Sequence, residues 1–222
     1  MTAVPRLDDL VLAAIADVDE HLHDVRWQLR VKRGADVVLS LALLVGLSPL
    51  LLLTALCIRA ESRGAALFFQ SRWGRKERVF RCAKFRSMRQ HVSDGGASAA
   101  TEGSLLKMRN DPRVTRIGRV IRRTSIDELP QLWNVLRGDM SLVGPRPLVL
   151  HMLQAYPDVR ALRCRVRPGI TGLWQVNARA NNTHVADMLP YDTEYLRTVS
   201  LGLDLRLLVR TIRSVLSGTG AH

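Results

Sequence analysis

The fold of this chain depends on an uncharged stretch of 22 residues, VVLSLALLVGLSPLLLLTALCI, at positions 37–58. A straight helix of this length would cross the apolar core of a bilayer. Ser48 and Pro49 lie at its midpoint, where the proline removes a backbone donor and clashes with the preceding turn. Because each arm alone is too short to span a membrane, the sequence predicts a helix, a break and a second helix.

Both flanks of this stretch are basic, which bears on how it meets a membrane. Lys32 and Arg33 precede it, and Arg59 and Arg63 follow it, so the charge bias that orients spanning helices gives no sense of crossing. Two arrangements stay open from the residues alone: a kinked span, and a re-entrant hairpin that enters one leaflet and returns. The like charges at the two ends favour the hairpin, in which Ser48 would bond a carbonyl that the proline frees.

The first 30 residues carry the opposite charge from the rest of the chain. Six acidic and three basic side chains give a local sum of −3 in a protein whose net charge is +13. Apolar residues from Leu7 to Leu29 recur every three or four positions, which predicts an amphipathic helix. Anionic lipid would repel its acidic face, so we expect this helix to pack on a partner, as in a homodimer, or on the protein's own core.

The composition indicates one folded core and an anionic partner. The chain is 47% apolar and 24% charged, which argues against a disordered or fibrous protein. Its excess of positive charge suits nucleic acid, phospholipid or a phosphorylated compound. Aromatic residues make up only 5%, and no basic run is interleaved with rings that would stack on bases, so we expect no nucleic-acid partner.

Several further elements can be placed along the rest of the chain. Short apolar runs around Trp73–Gly74 predict a strand pair, and a Gly/Ala/Ser-rich segment at 90–103 predicts a loop. The segment NDPRVTRIGRVIRR at 110–123 puts arginines at helical spacing; such a stripe is usually a solvated face, but this one leads into an acidic pair, where phosphates would bind. Residues 201–216 predict an apolar helix with arginines along one side, either interfacial or packed on the domain.

The acidic pair is Asp127 and Glu128, within TSIDELPQLWNVLRGDMSLVGPRP at 124–147. Ser125 followed by Glu128 predicts a capping box at the start of a helix that ends at Gly138. On this pattern alone a structural role is favoured for both acids, because the helix dipole stabilises carboxylates in the first turn.

A set of long motifs, in order along the chain, carries a resemblance to a known family. They are KRxxD at 32–36 before the Ser-Pro break, KFRSM at 84–88, NDPR through GPRP at 110–147, and VRPGITGLWQV at 166–176. Over residues 31–216 the chain resembles the bacterial sugar transferases, the monotopic phosphoglycosyl transferases. Residues 1–30 lie outside the resemblance.

The resemblance implies a fold and a location. We expect an α/β, mainly helical chain in which a re-entrant membrane hairpin broken at Ser48-Pro49 precedes a compact cytosolic catalytic domain with amphipathic interfacial helices. The acidic N-terminal helix then takes residues 1–30, the hairpin 31–62 and the catalytic domain 63–222. The catalytic domain is expected on the cytoplasmic face of a bacterial inner membrane, in contact with membrane lipid.

The resemblance also implies an activity. Members transfer a sugar 1-phosphate from a UDP-sugar to a polyprenol (undecaprenyl) phosphate and release UMP, the first membrane step of exopolysaccharide, O-antigen or glycoconjugate assembly, ahead of downstream glycosyltransferases. The motifs leave the sugar open among glucose, galactose, N-acetylhexosamines and deoxy amino sugars. The alternative is a non-catalytic membrane-bound adaptor of an assembly complex, against which the presence of both acids argues.

The family's Asp-Glu signature matches Asp127 and Glu128. Asp127 is then the nucleophile, through a covalent phosphosugar, and a ligand of Mg²⁺; we expect a helix dipole and nearby arginines to keep it ionised. For Glu128, three roles stay open: a cap, a metal-shell residue or an acid–base helper. The residues that the same resemblance assigns to phosphate and nucleotide contacts are Lys84, Arg86, Arg123 and Arg146.

Overall fold

The computed structural model describes residues 7–89, 112–177 and 185–217, so the predicted loop at 90–103 lies outside the described residues. The described chain is mostly helical, as predicted. Its helices are α1 (Leu7–Asp24), α2 (Arg26–Gly46), α3 (Ser48–Glu61), α4 (Arg116–Arg123), α5 (Gln131–Arg137), α6 (Leu150–Gln154), α7 (Pro157–Arg163), α8 (Leu173–Asn177), α9 (Val185–Thr198) and α10 (Leu201–Ser217). Its strands are β1 (Leu67–Trp73), β2 (Val79–Phe85), β3 (Ser141–Val143) and β4 (Gly169–Thr171).

The predicted break in the apolar stretch is confirmed. α2 and α3 meet at Leu47 with a bend of 61°. The Ser48 hydroxyl donates to the Val45 carbonyl at 2.7 Å, and Pro49 lies in the first turn of α3, where its missing N–H is not needed. Among the described residues no single helix is long and apolar enough to cross a membrane, whereas this bent pair together meets that requirement of length and composition.

The helix pair, here called the hairpin, exposes a large apolar surface. Soluble monomers rarely carry so many large apolar side chains side by side in contact with solvent. They are Val38, Leu39, Leu41, Leu43 and Val45 on α2, and Leu50, Leu52, Leu53 and Leu56 on α3.

The base of the hairpin is fixed to the rest of the protein by polar contacts. Arg33 donates to the carbonyls of Val135 and Leu136, at 2.6 and 2.9 Å, at the end of α5. The buried Asp36 carboxylate accepts from the Ser141 hydroxyl at 2.7 Å and from the Leu142 N–H at 3.1 Å. The KRxxD motif therefore attaches α2 to α5 and β3 before the chain becomes apolar.

α1 packs on the protein's own core, which is one of the two predicted alternatives. Ala14 and Val18 are buried in the main core, and the helix contacts α7 and α9. Its exposed acids pair with arginines of the same domain. Asp17 binds Arg197 at 2.7 Å, and Asp19 binds Arg165 at 3.0 Å. The predicted homodimer would therefore need a surface other than this apolar face.

Two small sheets complete the described fold. The predicted strand pair is confirmed: β1 and β2 run antiparallel, with Leu67 opposite Phe85 and Trp73 opposite Val79. β3 pairs in parallel with β4. A small apolar cluster of Ile58, Phe85 and Ile121 joins α3, β2 and α4, so the end of the hairpin and the start of the acidic-pair segment are packed together.

Candidate active site

The acidic pair lies in a short 3-10 turn, Ile126–Glu128, and not in the first turn of an α-helix. Ser125 has φ 57°, in the left-handed region, and its side chain makes no capping hydrogen bond. An N-cap residue needs an extended backbone, whereas here the chain reverses between α4 and α5. The predicted capping box is therefore wrong, although the helix does end at Gly138, with φ 90°.

Without a capping role, the Glu128 carboxylate binds two cations from distant parts of the chain. Its Oε1 atom accepts from Lys84 Nζ at 2.9 Å and from Arg146 Nη2 at 3.1 Å. β2 supplies the lysine, and the GPRP loop at 144–147 supplies the arginine. Hydrogen bonds between ionised groups are short and strong, so Glu128 holds both cations beside the acidic pair.

Asp127 is half-buried and differently placed. Within the part of the chain that the structure describes, its carboxylate makes no hydrogen bond. Burial and the neighbouring Glu128 charge raise the pKa of Asp127 above its ordinary value, while Lys84, Arg122 and Arg146 oppose the shift. The direction is opposite to that expected from a helix dipole, because a single 3-10 turn has few aligned peptides and the pair shares a partly desolvated space.

A buried arginine, Arg163, and a half-buried one, Arg72, hold the backbone of the GPRP loop. Arg163 Nη2 donates to the Arg146 carbonyl at 2.8 Å, and its Nη1 binds the buried Asp192 carboxylate. Arg72 Nη1 donates to the Pro147 carbonyl at 2.9 Å, and burial together with the nearby Arg146 charge lowers the pKa of Arg72 to about 10. The cation that faces Glu128 is thus carried on a loop supported from below.

These supporting residues were not predicted, although the sequence carries a signal for two of them. Asp192 falls in register with the buried residues Met188, Tyr195 and Leu196 on α9. A charged residue within an apolar helical stripe predicts a buried partner. Arg163, four residues after the buried Val159 on α7, is in register in the same way.

The structure brings together two of the four cations that the resemblance implied. Lys84 and Arg146 lie at the acidic pair. Arg86 is buried and donates to the carbonyls of Arg63 and Ser62 at 2.6 and 2.7 Å, so it fixes the end of the hairpin. Arg123 is exposed at the end of α4, and the arginine that acts on the Asp127 charge is its neighbour, Arg122.

The acidic pair is also linked to the hairpin, through α4. Glu61, the last residue of α3, accepts hydrogen bonds from the backbone N–H groups of Arg116 and Ile117 at 2.6 and 2.9 Å. Its carboxylate therefore caps α4, a role that favours negative charge. Since α4 ends four residues before Asp127, the position of the pair is set relative to the hairpin base.

The donor set at the pair suits a magnesium ion shared with a ligand. Among the described residues there is no cluster of three or more His, Cys, Asp or Glu that would hold a metal unaided. Mg²⁺, however, is commonly bound by one or two carboxylates together with substrate phosphates. Asp127, with no hydrogen bond from a described residue, has its oxygens available for this mode.

Together these features indicate an enzyme that acts on a phosphate ester. A half-buried carboxylate beside fixed cations is suited to chemistry on a phosphate ester, because the cations bind phosphate oxygens while the carboxylate approaches the phosphorus. The exposed apolar hairpin is joined to the same site by α4.

The chain belongs to the bacterial sugar transferase family, whose model matches residues 27–218. The predicted resemblance is therefore confirmed. The chain is 46% identical over 197 residues to an undecaprenyl-phosphate glucose phosphotransferase of Komagataeibacter xylinus, an alignment that covers 84% of this chain and 36% of that protein. It is 38% identical over 200 residues to an undecaprenyl-phosphate galactose phosphotransferase of Salmonella typhimurium, covering 86% and 42%.

A relative of similar length is also found. The exopolysaccharide production protein ExoY of Sinorhizobium fredii is 37% identical over 199 residues, covering 86% of this chain and 88% of that protein. The present chain thus spans about a third of the first relative, under half of the second and most of the third.

Proposed function

We propose that this protein transfers a sugar 1-phosphate from a UDP-sugar to undecaprenyl phosphate and releases UMP. The observation that carries the proposal is the Asp127 carboxylate, with no hydrogen bond from a described residue, beside Glu128, Lys84 and Arg146. The names of the relatives support the lipid acceptor, and one from Erwinia amylovora is a UDP-galactose-lipid carrier transferase. Because the named sugars differ among relatives at similar identity, no particular sugar is assigned.

The chemistry is a two-step exchange at one phosphorus atom. An Asp127 oxygen attacks the phosphorus that is bonded to the sugar. The bond from that phosphorus to the bridging oxygen breaks, and UMP leaves with the electron pair, so an acyl phosphate carries the sugar. A phosphate oxygen of undecaprenyl phosphate then attacks the same phosphorus, which restores the Asp127 carboxylate and yields the lipid diphosphate sugar. Downstream glycosyltransferases would extend this product.

Lys84 and Arg146 bind the diphosphate, and Glu128 positions them. Lys84 has three donors and Arg146 five, of which each uses one on Glu128, so both retain donors for a diphosphate. Glu128 holds these side chains in place, which we propose as its role. When bound, Mg²⁺ would neutralise the repulsion between a carboxylate and the diphosphate, and Asp127 with the diphosphate oxygens would hold it.

The proposed function is tested by release of UMP from the purified protein in detergent. The reaction contains Mg²⁺, undecaprenyl phosphate and one UDP-sugar at a time from a panel. We expect release with a subset of sugars, and without lipid a burst of at most one UMP per protein, since the first step precedes the acceptor. No release with any UDP-sugar would contradict the proposal.

Replacing Glu128 by Gln is expected to lower kcat/KM for the UDP-sugar by about 10–100-fold, since the two cations lose their counter-charge. Steady-state UMP release measures the effect. Glu20→Gln, the same change at an exposed residue of α1, serves as the control. An unchanged kcat/KM in Glu128→Gln would exclude the positioning role.

We further propose that the hairpin is re-entrant and that the protein sits on the cytoplasmic face of the bacterial inner membrane. The 61° bend and the exposed apolar side chains on both arms support insertion into one leaflet. α10 offers a second apolar surface, for an interfacial helix. Its exposed stripe consists of Leu205, Val209, Ile212 and Val215.

Cysteine labelling tests this topology. In a Cys57→Ser background, Arg30→Cys and Arg63→Cys place thiols at two exposed positions on either side of the hairpin. A membrane-impermeant maleimide is expected to label both from the cytoplasmic side in inverted vesicles, as it labels the exposed α4 control Arg119→Cys. Labelling of only one of the two would establish a span.

A further inference from the structure

A second cavity lies beside the base of the hairpin, apart from the acidic pair. Its volume is about 440 Å³. Seven cationic side chains line it: four on α2 at residues 26–33, one at Arg75, and two at positions 165 and 167. Among the described lining residues a single carboxylate is present, Asp36. None of the lining residues belongs to the cluster of Lys84, Asp127, Glu128 and Arg146, so this is a separate site.

Two of these cations are neutralised by the protein itself. Lys32 binds Asp204 at 2.7 Å and lies 4.0 Å from Asp36. Arg165 binds Asp19 on α1 at 3.0 Å. These contacts are structural, and they leave the other lining cations to be accounted for.

The remaining cations have neutral partners or no hydrogen-bond or ion-pair partner in the described chain. Arg33 and Arg167 donate to backbone carbonyls at the end of α5, the latter to Gly138 at 2.8 Å. Arg30 and Arg75 make no side-chain hydrogen bond or ion pair with a described residue. Burial and the charges of Arg75 and Arg33 lower the pKa of Arg167, so the positive charges repel one another. Such crowding favours the binding of an anion.

We infer that this cavity binds a phosphate-bearing anion. Guanidinium groups match phosphate oxygens in charge and geometry, and a cavity of this size admits a phospholipid headgroup or a small phosphorylated molecule. α2 runs from the lining residues into the exposed apolar surface that begins at Val38. A membrane headgroup is therefore one source of the phosphate, and this source depends on the proposed insertion; a soluble phosphorylated compound is the other.

The test removes the two unpaired cations together. The double variant Arg30→Gln, Arg75→Gln is compared with Lys76→Gln, which removes a charge at the next position, outside the cavity. Lys84→Gln identifies the share of pyrophosphate binding that belongs to the acidic-pair cluster. Binding of sodium pyrophosphate is measured by calorimetry in detergent, and retention of phosphatidylglycerol by native mass spectrometry after reconstitution in nanodiscs.

The double variant is expected to lose about 10–100-fold in affinity for at least one probe, since two cations that would face the phosphate are removed. Lys76→Gln should bind as the wild type does, whereas Lys84→Gln should lose only the pyrophosphate binding at the acidic pair. A loss seen with pyrophosphate identifies a soluble ligand, and a loss confined to phosphatidylglycerol identifies a lipid headgroup.

Wild-type binding of both probes by the double variant would overturn the inference, and so would an equal loss in Lys76→Gln, which would indicate a general charge effect. If the double variant melts below the wild type, the two single variants replace it in the test. Each is expected to lose about half of the binding free energy that the double variant loses. Since binding is measured without turnover, the outcome is independent of whether UMP is released.

Discussion

Asp127→Asn is expected to abolish UMP release, with a fall of about 10³–10⁵-fold in rate, while the protein stays in the membrane fraction. An amide cannot displace UMP as the carboxylate does, and removal of a nucleophile commonly costs this much. Since the Asp127 carboxylate accepts no hydrogen bond from a described residue, the isosteric change should leave the melting temperature unaltered. UMP release and thermal melting are measured on the same preparation.

A covalent readout separates the loss of the nucleophile from a loss of binding. Wild-type protein incubated with the UDP-sugar alone should gain the mass of one sugar phosphate by intact mass spectrometry, and Asp127→Asn should not. Asp158→Asn, the same change on α7, is the matched control and should retain both the adduct and turnover. UMP release by Asp127→Asn at the wild-type rate would remove Asp127 from the mechanism.

The parts of the fold that follow from local sequence were predictable. Pro49 cannot continue a helix, so the break is set by one residue. Gly138 takes a left-handed conformation that favours glycine, and the helix ends there as predicted. Ser125 shows the limit of such reasoning, because serine and a following glutamate fit a capping box while the chain has to turn between two helices packed on different neighbours.

The site was predictable only where a motif names the residue. The resemblance predicts Lys84 and Arg146 at the site. The KFRSM motif also predicts Arg86 there, but Arg86 donates hydrogen bonds to carbonyls at the end of the hairpin. Arg72 donates a hydrogen bond to the carbonyl of Pro147, 75 positions away in the sequence. Contacts of this kind depend on tertiary packing and leave no spacing to read, so the supporting layer beneath the GPRP loop emerges from the structure.

That supporting layer is expected to matter for both stability and activity. Asp192→Asn leaves the buried Arg163 without its counter-charge, and breaking a buried pair on one side commonly costs about 3–5 kcal/mol of unfolding free energy. Arg163 also holds the Arg146 carbonyl, so UMP release should fall as well, by about tenfold or more. Urea unfolding and steady-state kinetics measure the two effects.

A double replacement separates support of the loop from support of the fold. Arg163→Met with Asp192→Leu replaces the pair by apolar side chains of similar size, a change that is often neutral or stabilising. We expect the unfolding free energy to return toward the wild-type value while UMP release stays low, because the Arg146 carbonyl still lacks its donor. Recovery of both together would assign the pair a structural role alone.

The pH dependence provides the second discriminating measurement. Burial raises the pKa of Asp192 to about 6, against the opposing charge of Arg163. Because this folded-state pKa lies above the ordinary value of 3.8, the folded protein holds the proton up to a higher pH than the unfolded chain does. The ion pair itself forms only as Asp192 ionises above about pH 6, so wild-type UMP release should fall on acidification through that value. The double replacement has no titrating group at this position, so its rate of UMP release, normalised to its own maximum, should show no fall near pH 6. A fall that persists there would show that a group other than Asp192 titrates.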